Sequence, residues 1–319
     1  MKKALRYFYH KIRPILIRLG PNNVFMRIGT MFIMNLMCKE FETRIAFKAD
    51  ALEITKGRQV VRLNRNHWIY SLTISKSFQV YFDCVEPKRE ANRDVVDYSC
   101  IALQTFRISG LEFEVSGFPE EEKAVLDYFR WHRPREGDTV FDLGANCGLS
   151  AYYLSQCVGP TGKVYALEPD PVNFTVLLHN IQRHKLANVI PVRKAVAAVT
   201  ANLKFLSEGS IGSTLAHQSN RSTTGTVETV EAISLVDACA TFGIPTFVKM
   251  DIEGAEIEVI AASQVFLREH PIQFAIDTNH YKNGELTSGD VEKLFRECDY
   301  EVLSSNESGF MTTWARKVA

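Results

Sequence analysis

The sequence has no paired cysteines and no long apolar run. Its seven cysteines are odd in number and show no CxxC spacing, which excludes a zinc ribbon or a disulfide framework and favours free thiols in a reducing compartment. A membrane-spanning helix needs about 20 apolar residues, whereas the longest candidate, residues 28–38, is shorter and contains Thr30 and Asn35. We therefore expect a cytoplasmic chain without a spanning helix.

The chain also has no net charge, but only when its whole length is counted. The chain holds 37 basic and 37 acidic residues, yet residues 1–39 contain eight basic residues and no acidic one. The remainder therefore carries 29 basic against 37 acidic residues, a net charge of −8. An acidic body argues against a nucleic-acid groove, and the basic first segment points to a separate role.

Residues 1–46 are expected to form a basic amphipathic helical segment. Its apolar side chains recur at steps of three and four, on one helical face: Leu5, Phe8, Ile12, Ile15 and Leu19. Two interpretations stay open. The helix packs on the protein's own body or on a second subunit, or it rests peripherally on anionic lipid at the inner face of a membrane.

Residues 47–117 are expected to form a strand-rich N-terminal region. Alternating side chains predict strands within residues 60–74, where residues 64–67 are expected to form a turn, and within residues 77–85 and 111–118. The polar stretch at residues 86–97 predicts a loop or a surface helix. No chemical motif stands out here, so this region is expected to abut the part that follows.

Strand and helix patterns alternate over residues 118–319. The predicted strands are TVFDLGA, KVYALEP, NVIPVRKAV, TFVKMD and IQFAID, with YEVL and FMTTWA at the end. Such alternation predicts a parallel sheet covered by helices, and the last two strands predict a closing antiparallel hairpin. The polar stretch at residues 207–226 is long enough to be a functional loop.

The sharpest local pattern is a glycine turn after a buried strand. In FDLGANCGLSA, Asp142 ends the strand, Gly144 permits a tight turn close to a ligand, and Gly148 lets the next helix begin against the sheet. Glu168 ends the following strand in ALEPDP, where a carboxylate can accept hydrogen bonds from ribose hydroxyls. Together these residues predict a nucleoside cofactor.

The glycine spacing discriminates between cofactors. An NAD-type fingerprint reads GxGxxG, whereas this turn reads DxGxxxG, which favours S-adenosylmethionine. Two other functions stay open: an NAD-linked Rossmann oxidoreductase, and a catalytically inactive module that binds S-adenosylmethionine.

Three motifs together resemble the FkbM-type methyltransferases: FDLGANCGLSA, ALEPDPVNF and VKMDIEGAEIEVI. The resemblance implies an α/β fold of the class I methyltransferase type, a Rossmann-like doubly wound sheet, with S-adenosylmethionine as cofactor. It also implies O-methylation of a hydroxyl on a sugar, a glycan or a natural product. The cofactor contacts that it implies are Asp142, Gly144, Ala145, Asn146, Gly148 and Glu168, and a second cluster comprises Lys249, Asp251, Glu253 and Glu256.

Candidate catalytic residues follow two strands. Lys249 and Asp251 lie at the carboxyl end of TFVKMD, and His280 follows IQFAID, at the rim where open α/β sheets bind ligands. A hydroxyl acceptor needs a base or a metal. Asp251 or His280 is the candidate base, and Asp251, Asp277 and Asn279 are alternative ligands for Mg²⁺.

Motifs that accompany methylation of nucleic-acid bases are missing. No Pro-Pro-aromatic sequence follows an Asn or Asp, and none of the cysteines follows a proline. With the acidic body, this leaves a sugar, a glycan or another small molecule with a hydroxyl as the expected acceptor, and no nucleic acid. A homo-oligomer stays open.

Overall fold

The structure is a computed structural model that describes residues 24–106, 109–209, 212–215, 225–282 and 285–317. The chain divides into two compact units, Met1–Pro119 with Ser219–Thr226 and Glu120–Gln218 with Val227–Ala319. Both motif regions that carry the glycine turn and Asp251 belong to the second unit. That unit therefore contains the candidate site.

The first unit combines a mixed sheet with helices. The helices are α1 (Val24–Cys38), α2 (Ser71–Lys76) and α3 (Phe78–Phe82). The strands are β1 (Arg44–Phe47), β2 (Ala51–Lys56), β3 (Gln59–Asn64), β4 (Lys88–Glu90), β5 (Arg93–Asp97), β6 (Ala102–Thr105) and β7 (Glu112–Val115). The sheet has the order β1-β2-β3-β5-β4, in which β3 and β5 are parallel, and β6 pairs with β7 in a separate hairpin.

Residues 77–85, predicted as a strand, contain helix α3 instead. The buried side chains are Phe78, Tyr81 and Phe82, whereas Val80 is exposed. Their spacing of three and four is that of one helical face, so burial follows the helical period and not the alternating one. The second half of the strand predicted within residues 60–74 is wrong for the same reason, because β3 ends at Asn64 and helical structure follows.

Residues 86–97, predicted as a loop or a surface helix, form strands β4 and β5. Val95 and Val96 are buried beside β3. The Arg62 guanidinium reaches across the sheet to Glu90 at 2.7 Å and to Asp97 at 3.3 Å. These partners lie far away in sequence, so the polar composition of the segment alone gave the wrong prediction.

Helix α1 is tied to the first sheet and exposes one apolar face. The Asn35 side chain donates to the Ile45 carbonyl at 2.9 Å and accepts from the Ile45 amide at 2.7 Å. Ile28, Phe32 and Leu36, at steps of four, are 58%, 68% and 38% exposed. The stripe predicted from Leu5 to Leu19 lies outside the described residues. In the part of the chain that the structure describes, no helix is both long and apolar enough to cross a membrane.

The second unit alternates strands and helices. Its helices are α4 (Glu122–Asp127), α5 (Leu149–Val158), α6 (Pro171–Arg183), α7 (Leu235–Phe242), α8 (Glu256–Glu269) and α9 (Ser288–Arg296). Its strands are β8 (Thr139–Leu143), β9 (Lys163–Leu167), β10 (Val189–Val192), β11 (Ala195–Ala197), β12 (Ala201–Ser207), β13 (Thr214–Leu215), β14 (Thr226–Ser234), β15 (Phe247–Met250), β16 (Gln273–Asp277), β17 (Tyr281–Lys282), β18 (Glu285–Leu286), β19 (Tyr300–Ser305) and β20 (Thr312–Lys317).

Seven of these strands form the main sheet, in the order β10-β9-β8-β15-β16-β20-β19. The first five are parallel, and β20 is antiparallel to both β16 and β19. Phe141, Val248 and Phe274 are fully buried in a core that also includes side chains of α7, α8 and α9. The strand order reverses between β8 and β15, and the hairpin closes the sheet. The class I methyltransferase fold predicted from the sequence is confirmed.

A smaller sheet, in the order β11-β14-β12-β13, accompanies the main one. The sequence pattern predicted neither β12 nor β14, and most residues of β12 are not fully buried, which leaves little periodic signal. Phe205 and Leu215 from this sheet are buried in a second apolar cluster with Ala255. The small sheet thereby supplies apolar side chains near the start of α8.

Candidate active site

The glycine turn joins β8 to α5 and contacts the neighbouring strand. Gly144 has a φ of +79°, and a Cβ at this position would lie 1.8 Å from the Asp251 carbonyl oxygen. The amides of Gly144 and Ala145 both donate to the Leu167 carbonyl at 2.9 Å. Only glycine fits both the backbone conformation and this close approach. The turn therefore holds the end of β8 close to the backbone of Asp251.

Asn146 and Gly148 complete the turn. Asn146 adopts a φ of +48°, and its amide donates to the Glu168 carboxylate at 2.9 Å. Gly148 has a φ of +91°, and a Cβ there would lie 2.6 Å from the Leu177 side chain, so this glycine lets α5 begin close to α6. The turn and the end of β9 are therefore one hydrogen-bonded structure.

Glu168 lies at the tip of β9 and is 5% exposed. Its two carboxylate oxygens accept from the amides of Asn146 and Asp170, each at 2.9 Å. Burial raises the pKa of Glu168 to about 8. When it is ionised, a carboxylate offers about four acceptor positions. The two backbone donors therefore leave acceptor positions of Glu168 for the hydroxyls of a ribose.

Asp142 and Lys249 hold the turn from inside the sheet. Lys249 is 1% exposed, and its ammonium donates to the Gly144 carbonyl at 2.7 Å and lies 3.3 Å from Asp142. Asp142 is fully buried and also accepts from the Ser150 hydroxyl at 2.7 Å. Burial opposes the charge on Lys249, but Asp142 and nearby carboxylates raise the pKa of Lys249 above its ordinary value.

A cavity opens where these elements meet. Residues from the glycine turn, the tip of β9, the small sheet and the β15–α8 loop line it: Glu120, Gly144, Asn146, Glu168, Pro169, Asn173, Lys194, Ala195, Val196, Phe205, Ser213, Leu215, Asp251, Ile252 and Glu253. Its lining includes the apolar side chains of Val196, Phe205 and Leu215 as well as the carboxyl groups of Glu168, Asp251 and Glu253. The glycine cradle, the acceptor capacity of Glu168 and these apolar side chains could hold S-adenosylmethionine.

The polar stretch predicted as a functional loop contributes to this cavity. Ser207 and Ser213 donate their hydroxyls to Asp170 at 2.6 and 2.7 Å, and Thr214 donates to the Glu253 carbonyl at 3.0 Å. Asp170 also caps α6 through the Val172 amide at 2.8 Å. These bonds attach the described part of the stretch to the cavity, and its middle lies outside the described residues.

Carboxylates and one histidine gather at the carboxyl ends of β15 and β16. The His280 ring lies 3.9 Å from Asp251 and 3.5 Å from Glu253 through Nε2, and 3.3 Å from Glu256 through Nδ1. The Tyr128 hydroxyl donates to the second oxygen of Asp251 at 3.3 Å. The structure thus brings together Asp251 and His280, as their strand-end positions predicted.

The electrostatics of this cluster follow from burial and crowding. Burial raises the pKa of Asp251, with Glu253 adding to the effect against the opposing Lys249 ammonium. Burial disfavours the charged form of His280, but Glu256 and Glu253 outweigh it and raise the pKa of His280 well above its ordinary value. Burial also raises the pKa of Asp277, to about 7.

The residues that could bind a metal ion in the structure differ from those predicted for Mg²⁺ from the sequence. The structure places Asp251, Glu253 and His280 within reach of one ion, with their donor atoms all within 4.8 Å. Asn279 is exposed, and its backbone amide donates to the Asp277 carboxylate at 2.6 Å. Asp251 is common to both sets, and Glu253 and His280 replace Asp277 and Asn279.

The motifs predicted Glu256 as part of the second cluster, but not its contacts: it is fully buried and accepts from the amides of Ile252 and Gly254 at 3.1 and 3.2 Å. The sequence analysis missed Glu120. This residue lines the cavity, where burial raises its pKa to about 8. The run of three acids at residues 120–122 was the available signal.

Curated relatives match parts of the chain. A hexuronic acid methyltransferase of Haloferax volcanii is 29% identical over 163 residues, 51% of this chain and 63% of the archaeal protein. A protein-L-isoaspartate O-methyltransferase of Methanothrix thermoacetophila is 36% identical over 55 residues, 17% of this chain and 26% of that protein. The chain thus spans less than two thirds of either relative.

Among solved structures, a methyltransferase FkbM from Methylobacillus flagellatus matches with a TM-score of 0.44 and 14% identity. The match covers 91% of this chain and 60% of the other. A fibrillarin from Aeropyrum pernix, solved with bound S-adenosyl-L-methionine, matches with a TM-score of 0.38 and 13% identity over 73% of this chain and 98% of the fibrillarin.

A family model described as the methyltransferase FkbM domain matches residues 142–302, half of the chain. The match begins at Asp142 and includes Glu168, Asp251 and His280. It confirms the resemblance predicted from the three motifs, and it confirms S-adenosylmethionine, rather than NAD, as the cofactor. The chain belongs to the FkbM methyltransferase family.

Proposed function

We propose that this protein is an S-adenosylmethionine-dependent O-methyltransferase that acts on a hydroxyl of a sugar or a glycan. One observation carries the proposal: Asp251 and Glu253 line the same cavity as Gly144 and Glu168. The cavity therefore combines a wall suited to the cofactor with carboxylates that can bind and deprotonate an acceptor. The hexuronic acid methyltransferase among the curated relatives supports a sugar as the acceptor.

Asp251 is the proposed base. When bound, S-adenosylmethionine supplies an electrophilic methyl group, and the acceptor hydroxyl must lose its proton as its oxygen gains that methyl. Oδ1 of Asp251 has no hydrogen-bond partner among the described residues, while Oδ2 accepts from Tyr128. His280 is less suited, because both its ring nitrogens face carboxylates within 3.9 Å.

The carboxylates also favour one class of acceptor group. Asp251 and Glu253 line the cavity together, and as ionised carboxylates they would repel the carboxylate of a uronic acid at the point of reaction. A neutral hydroxyl meets no such repulsion and offers a proton to the base. The proposed product is therefore a methyl ether and not a methyl ester.

The test combines labelled S-adenosylmethionine with nucleotide sugars, free sugars and lipid-linked glycans, and follows products by mass spectrometry. We expect a gain of about 14 daltons, the mass of one CH₂, that survives mild alkali, because ethers resist the hydrolysis that cleaves esters. Asp251→Asn should lower turnover by roughly 10²–10⁴-fold and keep cofactor binding. Asp290→Asn, an exposed acid of α9, should change neither. Alkali-labile methylation, or full activity of Asp251→Asn, contradicts the proposal.

We also propose that residues 1–39 bring the protein to an anionic membrane surface. Two observations support this. The segment contains eight basic residues and no acidic one, and α1 exposes Ile28, Phe32 and Leu36 along one face. Basic charge with an exposed apolar helical face is the combination that binds the interface of anionic bilayers.

Co-sedimentation of the full chain with vesicles of phosphatidylglycerol and phosphatidylcholine tests this location. We expect binding that weakens with salt and with Phe32→Ser, whereas Val265→Ser, at another exposed apolar side chain (73% exposed), should bind as the wild type does. The membrane proposal is contradicted if the chain does not bind vesicles. It is also contradicted if the chain forms a dimer that Phe32→Ser dissociates and that lipid does not affect, because the exposed face of α1 would then bind a second subunit.

A further inference from the structure

His280 occupies an unusual position between carboxylates. Its side chain is 13% exposed, and its two nitrogens face Glu256 on one side and Glu253 with Asp251 on the other. Oδ1 of Asp251 and Oε2 of the fully buried Glu256 have no hydrogen-bond partner among the described residues. Ionisable side chains are therefore packed together here with buried polar atoms left unsatisfied.

The orientation of the His280 ring indicates which of its nitrogens can bind a metal ion. Glu256 Oε1 is fixed by the amides of Ile252 and Gly254 and lies 3.3 Å from Nδ1. A carboxylate beside one ring nitrogen holds the proton there and leaves the lone pair of the other nitrogen free, which is how histidine ligands of metal ions are oriented. Nε2 is the nitrogen that faces Asp251 and Glu253.

The distances fit a shared ion. Nε2 of His280 lies 3.5 Å from Glu253 Oε2 and 3.9 Å from Asp251 Oδ1. Ligands that each bind one ion at about 2.0–2.2 Å lie no more than about 4.4 Å apart. All three donor atoms lie within 4.8 Å of one another, so one ion can contact them once the side chains move by a few tenths of an ångström.

We propose that Asp251, Glu253 and His280 form a divalent cation site, with Glu256 as the positioning residue for His280. One imidazole nitrogen with two carboxylates suits a divalent transition ion such as Mn²⁺ better than Ca²⁺, which takes oxygen ligands. Asp251 and Glu253 also line the cofactor cavity, so an ion held by them would lie beside the position proposed for the acceptor. Its role rests on the proposed function: the ion would bind the acceptor hydroxyl and lower the pKa of that hydroxyl.

The test measures metal binding directly, without any acceptor. Mn²⁺ is titrated into the full chain with S-adenosylhomocysteine, and free Mn²⁺ is followed by electron paramagnetic resonance. We expect one saturable ion per chain. His280→Gln and Glu253→Gln should weaken its affinity at least tenfold, and Glu256→Gln by roughly 10–100-fold, the range for groups that orient a ligand. His184→Gln, whose ring packs on Tyr152, is the matched control and should bind as the wild type does.

Folding of each variant is checked by calorimetric binding of S-adenosylhomocysteine. If His280→Gln fails this check, Glu253→Gln carries the test, because its side chain is 18% exposed. Wild-type protein that binds no saturable Mn²⁺, or a folded Glu253→Gln variant that binds it at full affinity, overturns the proposal. The titration contains no acceptor, so a negative result in it does not contradict the proposed methyl transfer. Likewise, an activity test that finds no acceptor does not contradict the metal site.

Discussion

Glu168 is the side chain whose loss should affect the cofactor most directly. It is held by the amides of Asn146 and Asp170, and it keeps acceptor capacity toward the cavity. Glu168→Ala removes a charged acceptor of two ribose hydroxyls, so we expect cofactor binding to weaken by about 1.5–3 kcal/mol, the range for hydrogen bonds to charged groups. Calorimetric titration with S-adenosylhomocysteine measures this. Unchanged affinity would place the ribose elsewhere.

Two glycines of the site separate backbone strain from steric contact. A Cβ added at Gly144 (φ +79°) would lie 1.8 Å from the Asp251 carbonyl oxygen, whereas one added at Gly254 (φ +103°) would meet nothing within 4 Å. Gly254→Ala should cost on the order of 1–3 kcal/mol, the range for a strained backbone. Gly144→Ala should cost more and also weaken cofactor binding. Urea unfolding compares the two, and equal losses would contradict the close approach of the turn to Asp251.

The neighbouring strands β8 and β15 are joined by a buried ion pair between Asp142 and Lys249. Lys249→Met leaves Asp142 buried without its cation, so we expect a loss of about 3–5 kcal/mol in the free energy of unfolding. Adding Asp142→Asn should recover part of that loss, because the uncompensated charge disappears. Urea unfolding of both single variants and the double variant forms the cycle. Additive losses, or a Lys249→Met variant of normal stability, would favour the direct catalytic role predicted for Lys249 from the sequence.

Most strands of the main sheet could be predicted from the sequence because their signals are local. Strand β8, helix α5 and strand β9 each combine mainly apolar residues with a nearby glycine or proline. Helix α3 could not be predicted in this way, because its five residues, four of them apolar, fit both the helical and the strand period, and burial of Tyr81 and Phe82 decided between the two. Strand β5 depends on its parallel partner β3, which no local pattern records.

The candidate site shows the same division. Asp251 and His280 could be brought together in advance, because the carboxyl ends of parallel neighbouring strands share one edge. The motif also predicted Glu253 beside Asp251, but not its backbone conformation, a φ of +57° at a residue other than glycine. The burial of Glu256 depends on the path of the loop that it binds. The ends of these parallel strands could therefore be predicted from local sequence, whereas the loop conformation depends on the assembled structure.

The charge of the chain is organised along its length, and this changes how a net charge of zero is interpreted. The first 39 residues carry all the excess of basic residues, and the family match begins only at residue 142. The methyltransferase motifs therefore do not require the basic segment. A segment that the chemistry does not need is free to evolve for location, which is the role proposed for it on anionic lipid.

The stability of the protein should depend on pH through Glu168. Burial raises the pKa of this carboxyl from 4.5 to about 8, and unfolding returns it to its ordinary value. Between these two pKa values the folded chain binds more protons than the unfolded chain, so the free energy of unfolding falls as pH rises. We expect the urea midpoint of the cofactor-free protein to decrease across this window.

Glu168→Gln is the matched control, because its side chain keeps the shape of the carboxyl group and cannot ionise. Its urea midpoint should fall less steeply with pH than that of the wild type. Ribose hydroxyls donate to the ionised carboxylate, so S-adenosylhomocysteine should lower the pKa of Glu168 and flatten the wild-type slope as well. If wild type and Glu168→Gln show the same slope, with and without this ligand, then Glu168 is not the group whose burial governs the pH dependence.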